Sequence, residues 1–208
     1  MGKVINFPIS SANRLGFSKA KRRRKKVDLE ELGQLNLFNS PGLSKTILIA
    51  ELKTPFNQAL AFDEREQYDE AKEFYIKAVE MNNNRVDAYC NLGILASKEG
   101  NLSEAIDHFS KCLKEDPRHF TCHYNLANVY SEVGNLSLAK VHYEVCINIA
   151  PDFSNSYYNL GLVLALSDDY HNAMHVFYKY KKLTPDEDHM NVDKLLSTLQ
   201  KTLIEKAQ

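Results

Sequence analysis

The 208-residue chain is 44% hydrophobic and 25% charged with a formal net charge of −1, the balance of a folded domain and not of a disordered chain. No stretch approaches the roughly 18 apolar residues that a membrane-spanning helix needs, so no transmembrane segment is expected. The N-terminus lacks the apolar core and small-residue cleavage site of an export signal. The four cysteines, Cys90, Cys112, Cys122 and Cys146, contain no C-x-x-C pair, which argues against a zinc ribbon or thioredoxin-type site and fits a reducing, cytoplasmic setting.

The charge is unevenly placed. Residues 1–50 hold ten Lys and Arg against three Asp and Glu, whereas residues 51–208 hold 16 against 24. A basic tail on an acidic body implies two parts with different partners. Residues 1–50 are rich in Ser, Asn, Gly and Pro without a long periodic segment, so they are expected to form a flexible basic arm. The arm carries two linear signals. Lys19 to Lys26 packs seven cations into eight residues, six of them the unbroken run Lys21, Arg22, Arg23, Arg24, Lys25 and Lys26. Such a run suits nucleic acid through counterion release, nuclear import, contact with ribosomes or anionic membranes, or solubility alone. No aromatics interleave it, so base stacking is not indicated.

The second signal is Gln34-Leu35-Asn36-Leu37-Phe38, preceded by Asp28, Glu30 and Glu31. It resembles the Q-L-(S/D)-L-F peptide with which bacterial proteins dock on the DNA polymerase sliding clamp, with Asn36 departing from that pattern. The resemblance implies a role for Gln34 in a polar site and for Leu35, Leu37 and Phe38 in an apolar pocket. The other reading is an amphipathic segment that folds back on the body.

Residues 51–187 are organised by a period of 34. Ala71, Ala105, Ala139 and Ala173 recur at that interval, each followed four residues later by an aromatic: Tyr75, Phe109, Tyr143 and Phe177. Leu92, Leu126 and Leu160 keep the same step, each followed by a small residue (Gly93, Ala127, Gly161), and Pro117, Pro151 and Pro185 close the units. Within a unit the apolar residues fall at helical spacing on both sides of a break such as Gly134-Asn135, so each unit reads as a helical hairpin. Small residues permit close helix approach, and the aromatics are expected to fill the space between successive hairpins. Ser103 and Ser137 are placed as N-caps of second helices, and the prolines end those helices. Stacked hairpins form a solenoid with a convex and a concave side.

These residues resemble the tetratricopeptide repeat (TPR) family, whose 34-residue pattern runs W-x-x-L-G-x-x-Y, A-x-x-x-F, P. The Trp position is filled by Pro55, Tyr89, His123 and Tyr157, and the first unit has Gln58 for the Leu and Asn83 for the Pro. The expectation is an all-α solenoid of four repeats, over 52–85, 86–119, 120–153 and 154–187, preceded by the arm. Over 188–208, Val192, Leu195, Leu196, Leu199 and Leu203 lie at helical spacing and predict a helix that caps the last hairpin.

The resemblance implies that the first helix of each unit lines the concave face. Asn57, Asn91, Asn125 and Asn159 recur there at intervals of 34. An amide donates and accepts at once, so the row can bond the main chain of an extended peptide, as in the asparagine ladders of O-linked N-acetylglucosamine transferases. The same amides can instead bond neighbouring helices and fix repeat stacking. Phe56, Cys90, Tyr124 and Tyr158 lie beside the row, with Leu60, Ile94, Asn128 and Leu162 three residues beyond it. The cations that grip a chaperone's C-terminal carboxylate are replaced by Phe56, Cys90, Tyr124, Thr121 and Asn155, which disfavours that ligand.

His171 and His175 are one turn apart without an evident third ligand, and His123 near His119 and Cys122 is read as packed. Cys112 and Cys146 fall at the small-residue position of Ala78 and are read as core. No phosphate loop or nucleophile elbow is present. The chain is therefore read as a monomeric, non-enzymatic scaffold without metal or cofactor that binds a protein or peptide in its concave groove. The alternative is a nucleic-acid-associated adaptor acting through the arm.

Overall fold

A computed structural model describes residue 18, residues 54–185 and residues 189–206. Among the described residues there are nine α-helices and no strand. They are α1 (Pro55–Glu64), α2 (Tyr68–Glu80), α3 (Arg85–Lys98), α4 (Leu102–Glu115), α5 (Phe120–Glu132), α6 (Leu136–Ile149), α7 (Ser154–Leu166), α8 (Tyr170–Leu183) and α9 (Met190–Lys206). The helices pair as α1/α2, α3/α4, α5/α6 and α7/α8, and each pair packs against the next.

Two layers follow from the burial pattern. α3, α5 and α7 each bury seven or more residues, covering most of their circumference, whereas α4, α6 and α8 each bury a single stripe such as Ala105, Phe109 and Cys112. A helix that is apolar or small nearly all round must be enclosed, and an amphipathic one lies at the surface. The contacts agree: α3 touches α5 and α5 touches α7, so the first helices form a continuous inner layer.

The close approach within a hairpin rests on the small residues. A Cβ added at Gly93 would lie 2.6 Å from Cε1 of Phe109, and one at Gly161 would lie 2.5 Å from Cε1 of Phe177. The aromatic ring of each unit thus bears on the small residue of its own first helix. This differs from the expectation that the rings chiefly fill the space between hairpins. Both rings are fully buried, so they have little room to retreat.

The turn between the helices of a unit repeats as well. Glu66, Gly100, Gly134 and Asp168 share one position and all adopt positive φ, from 60° to 79°. Glycine enters this region without a side-chain penalty, while the two acidic residues carry one. The next residue is the N-cap: Gln67, Asn101, Asn135 and Asp169. Asn135 accepts from the Leu138 N–H at 3.2 Å. This corrects the placement of Ser103 and Ser137 as caps, because α4 and α6 begin one residue before them, at Leu102 and Leu136. In the first unit, where proline is replaced, the Asn83 side chain accepts from the Phe56 N–H at 3.1 Å.

α9 packs against α8 and buries Val192, Leu196 and Leu199 in the core shared with α7 and α8, while Asp193 pairs with Lys181 at 2.7 Å.

Gly93→Ala is expected to destabilise the protein by about 1–3 kcal/mol, the cost typical of overpacking a tight core. Urea unfolding measures it, and wild-type stability would show that the Phe109 ring moves aside without cost.

Candidate functional site

The four asparagines of the 34-residue row all lie on first helices, and their surroundings separate them. Asn91 on α3 donates through Nδ2 to the Tyr75 hydroxyl at 3.1 Å, and that hydroxyl lies 3.4 Å from Asp63 Oδ2. Asn159 on α7 donates to the Tyr124 hydroxyl at 3.1 Å and to Asn128 Oδ1 at 3.0 Å. Asn128 also accepts from the Tyr143 hydroxyl. These contacts join neighbouring helices inside the fold. Burial pushes the Tyr124 hydroxyl up to about 12 and raises those of Tyr75 and Tyr143 further, so all three remain protonated.

Asn125 on α5 has different partners. Its Oδ1 accepts from the Ser18 backbone N–H at 2.9 Å, and its Nδ2 donates to the Ser18 carbonyl at 2.8 Å. One amide therefore reads both main-chain groups of one residue, 107 positions away, and both bonds require the same amide orientation. Nδ2 also lies 3.7 Å from Cys90 Sγ. The position sixteen residues earlier separates Asn125 from Asn91: it is Tyr75 for Asn91, whose hydroxyl takes that amide, but Phe109 for Asn125, which has no hydroxyl to offer.

The other groove candidates are distributed as follows. Asn57 is half-buried near the start of α1, with its backbone N–H on the Thr54 cap at 3.3 Å. Tyr124 and Asn128 are buried within the interhelix network. Tyr158 is half-buried, with its ring edge-on to Phe177 and 5.4 Å from that of Tyr180. The basic run of Lys21, Arg22, Arg23, Arg24, Lys25 and Lys26 and the Gln34, Leu35, Leu37 and Phe38 motif lie outside the described residues. No helix among the described residues is long and apolar enough to cross a membrane.

Of the histidines, His171 and His175 are exposed on α8, and no third metal-binding group joins them among the described residues. His123 is buried: its Nε2 lies 3.0 Å from the Pro117 carbonyl and its Nδ1 2.9 Å from Nδ1 of His142, whose ring stacks on Tyr130. With Nε2–H donated to the carbonyl, neutral His123 offers Nδ1 as acceptor to His142 Nδ1–H. Burial and the neighbouring ring push His142 down to about 4, and burial lowers His123.

Unfolded histidine titrates near about 6.5, so the unfolded chain binds more protons below that pH. The stability contributed by the pair is complete above about pH 6.5 and is lost as the pH falls toward about 4. Urea midpoints should drop between about pH 7 and pH 5, with a shallower drop in His142→Gln; identical slopes would refute the assignment. Asn159→Ala should cost about 1–3 kcal/mol by removing two buried hydrogen bonds, to the Tyr124 hydroxyl and to Asn128, read from a thermal melt. An unshifted melt would show that these bonds carry no stability.

The tetratricopeptide repeat family profile matches residues 56–85, 86–119, 120–153 and 154–187. No curated protein sequence matches the chain. Similar solved structures include a double mutant of MamA RS-1, at 23% identity and TM-score 0.63 over 71% of this chain and 82% of that one. MamA AMB-1 matches at 17% identity and TM-score 0.62 over 72% of this chain and 80% of that one. The first TPR domain of Spaghetti (RPAP3), bound to the HSP90 peptide SRMEEVD, matches at 17% identity and TM-score 0.54 over 57% of this chain and 93% of that one. With the repeat pattern, the two-layer solenoid and these matches in agreement, the chain belongs to the tetratricopeptide repeat family.

Proposed function

We propose that this protein is an interaction scaffold whose inner layer binds an extended peptide by its main chain, with Asn125 as the anchor. The observation that carries the reading is the pair of bonds between the Asn125 amide and the Ser18 backbone N–H and carbonyl. A contact of this kind uses no side chain of the occupant, so it tolerates many sequences and demands only an extended backbone. The solved TPR domain bound to the HSP90 peptide supports peptide capture as a use of this fold.

On this reading Ser18 holds the place of a partner residue, and the arm competes in cis with an incoming peptide. The opposite charges of residues 1–50 and 51–208 favour that contact at low salt and weaken it as salt screens them. Asn91 and Asn159 shape the inner layer through their tyrosine partners, and Asn125 makes the backbone contact.

A synthetic peptide of residues 12–24 added to a chain of residues 45–208 tests the anchor. Binding should weaken by about 1–3 kcal/mol when the peptide carries an N-methyl group at the Ser18 amide or when the protein carries Asn125→Ala, each bond being of order 0.5–1.5 kcal/mol. Phe109→Tyr should weaken it too, by offering Asn125 a hydroxyl while leaving every asparagine in place. Undiminished binding of the N-methylated peptide would overturn main-chain recognition. Retention on DNA that depends on residues 1–40, with no effect of Asn125→Ala on any peptide, would favour the adaptor role instead.

A further inference from the structure

Three of the four cysteines gather in one place. Cys90 on α3, Cys112 on α4 and Cys122 in the first turn of α5 are fully buried and form no disulfide. Cys112 shares one buried core cluster with Cys90 and Cys122. His119, buried just before α5, completes the group: Cys90 Sγ, Cys122 Sγ and a ring nitrogen of His119 lie within 4.8 Å of one another. We propose that Cys90, Cys112, His119 and Cys122 form a structural zinc site that staples the second repeat to the third.

Three thiolates and one imidazole are a standard donor set for closed, four-coordinate zinc. Soft sulfur donors select zinc over calcium or magnesium. Bonds of about 2.3 Å to zinc place tetrahedral sulfurs about 3.8 Å apart, so Cys90, Cys122 and His119, already within 4.8 Å of one another, need only close in modestly, and Cys112 would join them from the same core cluster. The three cysteines belong to three helices of two repeats, with His119 just before α5, and a metal among them would fix the α3/α4 hairpin to α5.

The surroundings of His119 suit a metal ligand. Its Nε2 lies 2.9 Å from Asp87 Oδ1, the carboxylate partner that commonly orients a metal-binding histidine. With the proton held on Nε2, the lone pair is on Nδ1, which faces Cys122 and accepts that residue's N–H at 3.1 Å. The same N–H also reaches the His119 carbonyl at 3.0 Å. Nδ1 can therefore turn to a metal without leaving the start of α5 unsatisfied. Asn125 Nδ2, 3.7 Å from Cys90 Sγ, is a donor placed to support a thiolate. Binding would release the thiol protons to solvent, with no change in oxidation state.

The full-length chain, purified under reducing conditions and stripped of metal, should take up one equivalent of cobalt(II). The intense visible bands and sulfur-to-metal charge-transfer absorption of tetrahedral cobalt thiolate should appear, and zinc should displace the cobalt. Cys146→Ser should leave the spectrum unchanged, because Cys146 lies apart with Ser156. Cys112→Ser should weaken or change it, and Asp87→Asn should reduce zinc affinity about 10- to 100-fold, the usual effect of losing such a partner. Added zinc should raise the melting temperature of the wild type, and a chelator should reverse the rise. A folded, fully reduced wild-type chain that gives no cobalt thiolate absorption overturns the site whatever the variants do. So does an unchanged spectrum in Cys112→Ser together with Cys90→Ser.

Discussion

The contact on which the solenoid depends is an aromatic ring laid against a residue with little or no side chain. Phe109 covers Gly93 and Phe177 covers Gly161 so closely that no Cβ fits between them. Tyr143 and Ala127 share the core of the intervening hairpin. Packing of this kind fixes how near the two helices of a unit lie, and repetition of the unit fixes the register of successive first helices. The inner layer, with asparagines at constant intervals, is a consequence. Disturbing one ring would therefore shift a neighbour's register as well as its own hairpin, since each repeat is supported chiefly by the adjacent ones.

The same aromatic position also separates Asn91 from Asn125. Tyrosine there supplies a buried hydroxyl, and a buried hydroxyl requires a partner. Asn91 serves Tyr75, Asn159 serves Tyr124, and Asn128 serves Tyr143. Phenylalanine supplies none, and the amide of Asn125 turns to the main chain of Ser18. One oxygen atom, present in Tyr75 and missing from Phe109, separates the Asn91 amide, which braces the repeats, from that of Asn125, which reaches another part of the chain.

Much of this was legible in the sequence because solenoid packing repeats its demands at a fixed interval. The 34-residue step located the hairpins, the small residues, the aromatics and the asparagine row. It did not reveal the helix starts, since the positive φ at Gly100 and Gly134 brings the chain into helix directly after Asn101 and Asn135, two residues earlier than serine capping implies. The contrast between Asn91 and Asn125 was written in the Tyr-or-Phe choice sixteen residues upstream, a signal that acquires meaning only once the helices are stacked. The cysteine cluster was hidden for a related reason. Cys90, Cys112 and Cys122 stand 22 and 10 positions apart, unlike the short paired spacings of linear zinc motifs. Only the stacking of α3, α4 and α5 brings them together, with His119-x-x-Cys122 as the one local hint.

The magnitude of the Ser18 contact sets how it can act. Two hydrogen bonds of order 0.5–1.5 kcal/mol each fall short of the roughly 4 kcal/mol that a millimolar dissociation constant represents. Presented by a separate molecule, this pair of bonds alone would scarcely hold. Presented by the same chain, it is an intramolecular step and needs no partner concentration of its own. Reach is no obstacle, because the 36 positions from Ser18 to Thr54 can span up to about 120 Å when extended. A contact held by connection and not by strength is one that a partner with a few more favourable contacts can displace. In the proposed scaffold, Ser18 would keep the Asn125 amide satisfied in the absence of a partner without closing the groove to one.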